Sequence, residues 1–422
     1  MIRQIGIIMA AIDHESVSKQ GELKMKDKIT AYLKKITLED QVKYFYFLYL
    51  IMTLCSYFWM YSMLTVPCHE YIANILRTTG LVFIGVKLCV DKVWEDKTEL
   101  SLAMVLVFAG VLNFMLFRQH IYDFDMILLV IGAYRIKFKD ILKVWLSVSV
   151  ILIILMTVFS QTGVIEDLVY CQADHNMKPR HAFGSNYPTD YAAGIAFCAM
   201  GVAWLRGKKA GLIDALVDFA LAAFVWNYCA ATNSAGILIL LGIGILYFDI
   251  RRKISKDGEY RMMSGTMYVL EYAMPIGVVL LFTLSIIYMN GGDLIEKVNL
   301  MLHQRLATSS EGLMKYPLTL FGNAVQLRGF GGTTEVPDFV FMLDDSYVNV
   351  ALRQGVVMLV CIVLLFLRLG KKQAGARAWI SLYILALVAV HCFFEHHLWD
   401  IIYNPFTLAF FAMGDEAGSN EE

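Results

Sequence analysis

The chain has 422 residues, of which 58% are hydrophobic, and its mean hydropathy is +0.58. Soluble domains contain about 45–50% apolar residues, so this composition predicts an integral membrane protein. Its 36 Lys and Arg residues nearly balance 37 Asp and Glu residues, and the resulting net charge of −1 provides no electrostatic case for binding nucleic acid.

Apolar segments recur along the whole chain, and most approach the roughly 20 residues that a helix needs to cross a bilayer. They predict an all-α polytopic membrane protein with about twelve transmembrane helices. The predicted spans are 44–66, 71–90, 100–117, 121–135, 141–160, 188–205, 212–229, 235–250, 266–289, 346–368, 378–395 and 398–413. The chain then divides into an N-terminal arm (1–43), one transmembrane domain (44–413) and a short tail (414–422).

Connections that are rich in basic residues alternate along the chain with connections that have few. The N-terminal arm and the even-numbered connections hold 26 of the 36 Lys and Arg residues, whereas the odd-numbered connections hold 7. Cytoplasmic loops of membrane proteins are enriched in Lys and Arg, so both termini are predicted to be cytoplasmic. The two longest connections, about 161–187 and 290–344, then lie on the outer side, and we expect the chemistry there.

The larger outer connection has a helical pattern in its first half and glycines in its second. Its apolar residues recur at intervals of three and four, namely Leu294, Val298, Met301, Leu302 and Leu306. This spacing predicts short amphipathic helices that lie along the outer interface, between the ninth and tenth spans. The glycine-rich stretch 322–332 predicts irregular backbone, which is tolerated at membrane depth where it lines a wet cavity.

The segment Arg180–Gly194 (RHAFGSNYPTDYAAG) closes the first of the two long outer connections and enters the sixth span. Arg180 and His181 place a fixed cation beside a titratable imidazole, and Phe183 and Gly184 suit a buried anchor followed by a turn. The alternative is an arginine that reaches lipid headgroups beside a solvated histidine.

A second group of cations lies in the larger connection, at Arg305, Lys315 and Arg328. Because the outer side is otherwise poor in cations, the group suggests a site for an anion, and arginine forks match phosphate oxygens. Contact with anionic lipid headgroups remains the alternative.

The segment Asp344–Gly355 (DDSYVNVALRQG) stands where the larger connection re-enters the membrane. One carboxylate of Asp344 and Asp345 would cap the incoming helix, but capping does not need both. Arg353 lies about 13 Å further along a helix, inside the membrane, where it should face a partner or a cavity.

Two other charged groups have structural explanations. The run Glu395–Asp400 (EHHLWD) suggests a metal cluster, but three adjacent ligands cannot point one way on a helix. An interfacial cap with Trp399 as its anchor is therefore favoured. Buried pairing is expected for the charged residues within spans, which are Arg77, Asp123, Asp125, Asp214, Asp218 and Glu271.

These segments resemble the Wzy-type polymerases, which join lipid-linked oligosaccharide repeat units during O-antigen, capsule or exopolysaccharide synthesis. Arg180–Gly184 resembles the family's Arg-x-x-Phe-Gly element, although Tyr187 and Thr189 stand where His-Pro-Asn is common. Asp344–Gly355 resembles its Asp-Asn, Ser-Tyr and Gly element, with Asp345 in place of the usual Asn. Related O-antigen ligases have His at the position of Asp344, and this difference favours a polymerase.

The resemblance implies a fold related to the GT-C lipid-dependent glycosyltransferases, in the bacterial cytoplasmic membrane. The implied donor is a growing glycan on undecaprenyl diphosphate, and the implied acceptor is one new lipid-linked unit. Neither a metal nor another cofactor is expected. A chain-length regulator and a flippase of the same pathway are the further partners that it suggests.

The resemblance also suggests roles for residues of this chain. Arg180, His181 and Asp344 are the expected catalytic residues, with Asp344 or His181 taking the proton from the attacking hydroxyl. The expected substrate- and diphosphate-binding residues are Arg305, Arg328, Arg353, Asp345 and Tyr347. Two other functions stay open: a ligase-type transferase, and a flippase or transporter, against which the concentration of charge in the outer loops counts.

Overall fold

The computed structural model describes residues 38–64, 68–91, 94, 96–117, 121–171, 178–255, 262–334 and 339–414. Most of the predicted cytoplasmic arm (1–43) and nearly all of the predicted tail (414–422) lie outside the described residues.

The described residues form fifteen α-helices and one short hairpin. The helices are α1 (Leu38–Tyr61), α2 (His69–Val90), α3 (Lys97–Phe117), α4 (Ile121–Gly132), α5 (Phe138–Gln161), α6 (Pro188–Arg206), α7 (Leu212–Phe224), α8 (Thr232–Ile254), α9 (Ser264–Glu271), α10 (Ala273–Met289), α11 (Asp293–Met301), α12 (Arg305–Lys315), α13 (Ser346–Arg353), α14 (Val356–Gly375) and α15 (Trp379–Phe394). The antiparallel strands β1 (Val169–Tyr170) and β2 (Arg180–His181) pair Val169 with His181.

Six of these helices are long and apolar enough to cross a membrane: α1, α2, α3, α5, α8, and α7 with the π-helical turn that extends it to Cys229. The consecutive helices α9 and α10, bent by 64°, make a seventh if they form one span. The chain is therefore an all-α, multi-pass membrane protein, as its composition predicts. The predicted amphipathic helices are also present, as α11 and α12.

The predicted span 346–368 is broken into α13 and α14. Gly355 separates the two helices at φ 101°, in the left-handed region that favours glycine. The side-chain amide of Asn113 donates to the carbonyl oxygens of Phe321 and Arg353 at 2.6 and 2.8 Å. The bond to Arg353 satisfies a carbonyl that the broken helix leaves open, and the bond to Phe321 ties the adjacent loop to the same place, as burial in a membrane protein requires.

The prediction of a transmembrane helix over 398–413 is wrong. This stretch contains turns and the 3₁₀ helix Phe406–Ala409, preceded by a 3₁₀ turn at His397–Trp399. Pro405 cannot donate a backbone hydrogen bond, and Asn404 bonds locally, with its amide donating to the Leu398 carbonyl at 2.9 Å. Nearly all of residues 401–412 are buried, so protein rather than lipid surrounds this irregular backbone.

The irregular segment runs between two chemically different ends of the bundle. At one end, Met413 pairs with the backbone at Ile136 and Phe138, and Arg368 pairs with Asp96 and Glu99. We call this the basic end, because it holds the basic connections around 135–143, 206–209 and 368–377. The opposite end, where α1 and α15 finish and α6 begins, is called the chamber end, because a sheltered group of charged side chains lies there.

Pairing of charged residues within the bundle is confirmed for two of the predicted cases. Arg77 Nε lies 2.5 Å from Asp125 Oδ2, and Arg206 Nε lies 2.6 Å from Asp214 Oδ1. The Arg77–Asp125 pair removes isolated charges from an apolar surrounding, where they would be costly, whereas Arg206 lies at the basic end with its side chain 48% exposed.

Replacement of Gly355 by alanine should destabilise the protein. A Cβ atom there would lie 2.3 Å from the Leu320 carbonyl oxygen, in addition to the strain of its positive φ. We expect a loss of about 2–4 kcal/mol, measured as a lower thermal unfolding midpoint in detergent. The control is Gly375→Ala at the end of α14, where a Cβ meets nothing within 4 Å. Equal midpoints for the two variants would contradict the broken-helix geometry.

Candidate functional site

Charged and aromatic side chains from distant parts of the chain meet at the chamber end. We call this group the acidic chamber, and its members are Tyr61, Asp123, Asp190, Arg305, Asp344, Arg353, Glu395, His396, His397, Asp400 and Tyr403. Their charges act on one another over short range. Most are half-buried, so the chamber is sheltered without being sealed.

Arg305, the first residue of α12, connects two acidic segments of the chamber. Its Nη1 donates to Asp344 Oδ2 at 2.5 Å, and its Nη2 lies 3.6 Å from Glu395 Oε1. The Glu395 carboxylate also accepts a hydrogen bond from the Asn233 amide at 2.9 Å. The side chain of Asp344 remains 29% exposed, so this carboxylate is accessible from the chamber.

Asp345 has a different role from its neighbour Asp344. It is fully buried and caps α13, where its Oδ1 accepts from the Val348 amide at 2.7 Å. Its Oδ2 accepts from the Ser309 hydroxyl at 2.7 Å, which joins α12 to α13. The sequence argument that one of the two aspartates caps the helix is therefore confirmed, and the other is free for the ion pair with Arg305.

The protonation of two carboxyls at this site is shifted by burial. Burial raises the pKa of Glu395 to about 7, although the Arg305 charge and the Asn233 hydrogen bond oppose the shift. Burial likewise raises the pKa of Asp345 to about 6, against the hydrogen bonds from Ser309 and Val348. Glu395 thus titrates near neutral pH, as a proton-transferring group should.

The run Glu395–Asp400 is not α-helical, which changes how its side chains point. Glu395 and His396 form a bend after α15, and His397–Trp399 is a 3₁₀ turn. The Ser346 hydroxyl fixes this bend, since it donates to the Glu395 carbonyl at 2.5 Å and accepts from the Leu398 amide at 3.1 Å. Trp399 is buried, so its predicted role as an interfacial anchor is wrong.

The two histidines of this run lie close to Asp190 in the first turn of α6. His397 Nε2 lies 3.4 Å from Asp190 Oδ1, and His397 Nδ1 lies 3.0 Å from His391 Nε2. The His396 ring packs on His397 with centroids 4.6 Å apart. Ligand atoms of Asp190, His396 and His397 all lie within 4.8 Å of one another.

Arg353 ends α13 on the other side of the chamber. Its Nη1 donates to Asn349 Oδ1 at 3.2 Å, and its charge acts on Asp123 and Asp400. The sequence expectation that Arg353 faces partners or a cavity is therefore confirmed.

The Arg180–Gly184 element packs against the π-helical turn after α7. Arg180 is buried and its Nε donates to the Cys229 carbonyl at 3.3 Å, while His181 Nδ1 lies 2.7 Å from Asp167 Oδ2. Phe183 is buried among aromatic rings, and Gly184 turns the chain at φ 83°, both as predicted. The contacts of His181 are with Asp167 and Phe183 rather than with Asp344.

Two other predicted binding residues take separate positions. Arg328 has an exposed side chain, and its backbone pairs with Phe341 in the loop that follows α12. Tyr347 is fully buried, and its hydroxyl donates to the Ala389 carbonyl at 2.6 Å. Tyr347 therefore joins α13 to α15, whereas Arg328 faces solvent or headgroups.

An apolar cleft adjoins the acidic chamber. It lies between α1, α5 and α6, is partly open, and has walls that include Leu54, Phe58, Leu152 and Met156. Tyr61, Asp190 and Tyr403 belong to both the cleft and the chamber. An apolar surface thus adjoins the charged group of Asp190, as an amphiphilic ligand requires.

Sequence reasoning missed Glu395 and Asp190 as site residues and set aside His396 and His397. The available signal was the EHHLWD run, but it was interpreted on the assumption of a helix. Asp190 gave no signal of its own, because only the fold brings α6 beside the end of α15.

No family model, curated protein or solved structure matches the chain.

The buried Asp345 should make stability pH-dependent. Its pKa is about 6 in the folded protein against an ordinary 3.8, so the folded state favours the protonated form. The stabilisation is complete below pH 3.8 and is lost as the pH rises through about 6. Asp345→Asn keeps a capping oxygen but does not titrate, so the thermal midpoint should vary less with pH over this window.

Two control variants accompany this measurement. Asp345→Ala loses the cap and should be less stable by about 1–2 kcal/mol at every pH. Asp293→Asn changes an exposed carboxylate in α11 and should keep the wild-type pH dependence. If the thermal midpoint of Asp345→Asn varied with pH as much as that of the wild type, Asp345 would not be the group responsible.

Proposed function

We propose that the protein polymerises undecaprenyl-diphosphate-linked oligosaccharide repeat units on the outer face of the bacterial cytoplasmic membrane. The observation that carries this proposal is the Arg305–Asp344 pair in a half-buried chamber that adjoins an apolar cleft. The local resemblance of Arg180–Gly184 and Asp344–Gly355 to Wzy-type polymerases also supports it. Twelve crossings and a GT-C-type fold belong to the same proposal.

The shape and polarity of the site suit a lipid-linked donor. The cleft would hold the first part of the polyprenyl chain, and the chamber would hold the diphosphate and the sugars. Arg305 presents a guanidinium fork to phosphate oxygens, and Arg353 adds a second cation. The roles of Arg180, His181 and Arg328 rest on the resemblance and form part of the proposal. Tyr347 is not included, because it is fully buried and its hydroxyl is bonded to the Ala389 carbonyl.

The proposed reaction is a glycosyl transfer. The acceptor hydroxyl gives its proton to Asp344, with Glu395 as the neighbouring carboxyl that exchanges protons near neutral pH. The hydroxyl oxygen forms a bond with the anomeric carbon of the donor glycan. The bond from that carbon to the diphosphate oxygen breaks, and undecaprenyl diphosphate leaves with the electron pair. Arg305 stabilises the charge that develops on the leaving group.

The proposed orientation places the chamber end outside. The basic connections gather at the opposite end of the bundle, and such loops are retained in the cytoplasm. Lipid-linked repeat units that have already crossed the membrane would meet the chamber on the outer face. A transporter would instead need a polar path through the bundle, and the basic end offers cations paired with local carboxylates.

Loss of the Arg305–Asp344 pair should stop polymer formation. In a host that lacks the gene, Arg305→Ala and Asp344→Asn should each yield single repeat units, at least about 100-fold less polymer than wild type on a polysaccharide gel. Lys297→Ala is the control, because it removes an exposed cation of the same connection and should give full-length polymer. Membrane levels of all variants are compared by immunoblot.

The same gel separates the alternatives. Long polymer from both Arg305→Ala and Asp344→Asn would show that the site is wrong. Complete loss of surface saccharide in the gene deletion would indicate a transporter. Normal polymer that is not transferred to its final carrier would indicate a ligase.

The orientation is tested by labelling exposed cysteines at the two ends of α2. Cys68 lies at the chamber end and Cys89 at the basic end, and both are exposed. In right-side-out vesicles, a membrane-impermeant maleimide should modify a variant that keeps only Cys68. A variant that keeps only Cys89 should react after permeabilisation. The reverse pattern would place the chamber in the cytoplasm and end the proposal.

A further inference from the structure

Three potential metal ligands converge at the centre of the chamber. They are Asp190 from the first turn of α6, and His396 and His397 from the bend after α15. The sequence argument against a metal here assumed three adjacent ligands on one helix. The structure removes that objection, because the run is not α-helical and the third ligand comes from another part of the chain.

The distances fit a transition metal. Two ligands of a tetrahedral zinc ion, each about 2.0–2.1 Å from the metal, lie about 3.4 Å apart. His397 Nε2 and Asp190 Oδ1 are 3.4 Å apart, and the third ligand atom lies within 4.8 Å of both. A small movement of the half-buried His396 would complete three protein ligands and leave a fourth position open, as in catalytic zinc sites.

The surroundings hold the ligands in place. His397 Nδ1 is hydrogen-bonded to the buried His391, and the Tyr403 ring packs on His397 with centroids 4.1 Å apart. Metal-bound histidines usually make such a hydrogen bond through their other ring nitrogen, which fixes the tautomer. His396 Nδ1 is buried and has no hydrogen-bond partner among the residues that the structure describes.

The chamber also contains more carboxyl groups than cationic groups. Six carboxylates lie in or beside it: Asp123, Asp190, Asp344, Asp345, Glu395 and Asp400. In the described part of the chain, two guanidinium groups, Arg305 and Arg353, act on this cluster. A diphosphate that enters would therefore lie close to more carboxyl groups than guanidinium groups, and a bound cation would offset this imbalance.

We propose that Asp190, His396 and His397 bind a divalent transition-metal ion, of which zinc is the representative. Two imidazoles and one carboxylate suit zinc and related ions, whereas magnesium and calcium prefer oxygen ligands. The ion balances part of the carboxylate charge, and its open position faces the chamber. That this position takes a diphosphate oxygen rests on the proposed function, whereas metal binding does not. The proposal departs from the metal-free site that the resemblance implies.

The test uses the purified full-length chain in detergent, stripped with a chelator and titrated with zinc alone. We expect one zinc ion per chain. X-ray absorption at the zinc edge should show two imidazole nitrogens and bonds of about 2.0–2.1 Å. His396→Gln, His397→Gln and Asp190→Asn should each weaken binding by more than about 100-fold, because loss of even a second-sphere partner costs about 10–100-fold.

His303→Gln is the matched control, since His303 is an exposed histidine of the neighbouring connection. It should bind zinc as the wild type does. If a variant fails to fold, the X-ray absorption spectrum of the wild type still identifies the ligands of the zinc ion.

Three outcomes are distinguishable. Absence of stoichiometric zinc, or equal affinity in His397→Gln and wild type, overturns the metal site and leaves protons to neutralise the carboxylates. Polymer synthesis by a protein that binds no metal keeps the proposed function and rejects the metal. Stoichiometric zinc at these ligands in a protein whose deletion leaves polymer length unchanged supports the metal and rejects the polymerase.

Discussion

Backbone amides and carbonyls within a bilayer must find partners inside the protein, and this constraint determines where the chamber forms. The acidic chamber is built on backbone that is not regular helix: the cap of α13 at Asp345, the helix break at Gly355 and the bend at Glu395. Each irregularity is satisfied by a polar side chain, including Asn113 across the break and Ser346 across the bend. The chain can thus present charged side chains at this end of the bundle without leaving backbone groups open to lipid.

The low polarity of the bilayer interior also limits where charged side chains can lie. Arg77 and Asp125 lie in the bundle as a closed pair, which has a structural role and offers nothing to a ligand. The acidic chamber differs because its carboxylates outnumber the guanidinium groups that act on them, and several remain half-exposed. Unbalanced charge that is sheltered and accessible is costly to maintain, and such sites in membrane proteins are typically functional. The apolar cleft beside the chamber supports the same conclusion, because its walls would contact the apolar part of a ligand whose polar part lies in the chamber.

Much of this architecture was predictable from local patterns. Hydropathy identified the long helices, the helical spacing after Leu294 identified the amphipathic helices, and the Asp-Asp pair identified the cap of α13. The failures have one physical origin. The stretch 398–413 is apolar because protein buries it, and apolar composition alone cannot distinguish burial in protein from burial in lipid. The same error concealed the histidines: a helix would separate their side chains, whereas the actual bend brings them to Asp190, which is about 200 residues away in sequence.

The two adjacent aspartates show how sequence and chamber chemistry are linked. Asparagine at 345 would cap α13 equally well, so capping alone does not explain why this chain has a carboxylate there. The second carboxylate oxygen accepts a hydrogen bond from the Ser309 hydroxyl, which joins α12 to α13. An asparagine would present an amide NH₂ at one of the two positions where Asp345 accepts a hydrogen bond. Because Arg305 begins α12 and Asp344 precedes α13, the bond to Ser309 also holds together the two segments that carry the ion pair. The acid at 345 is thus better explained by the two helices that it joins than by the one helix that it caps.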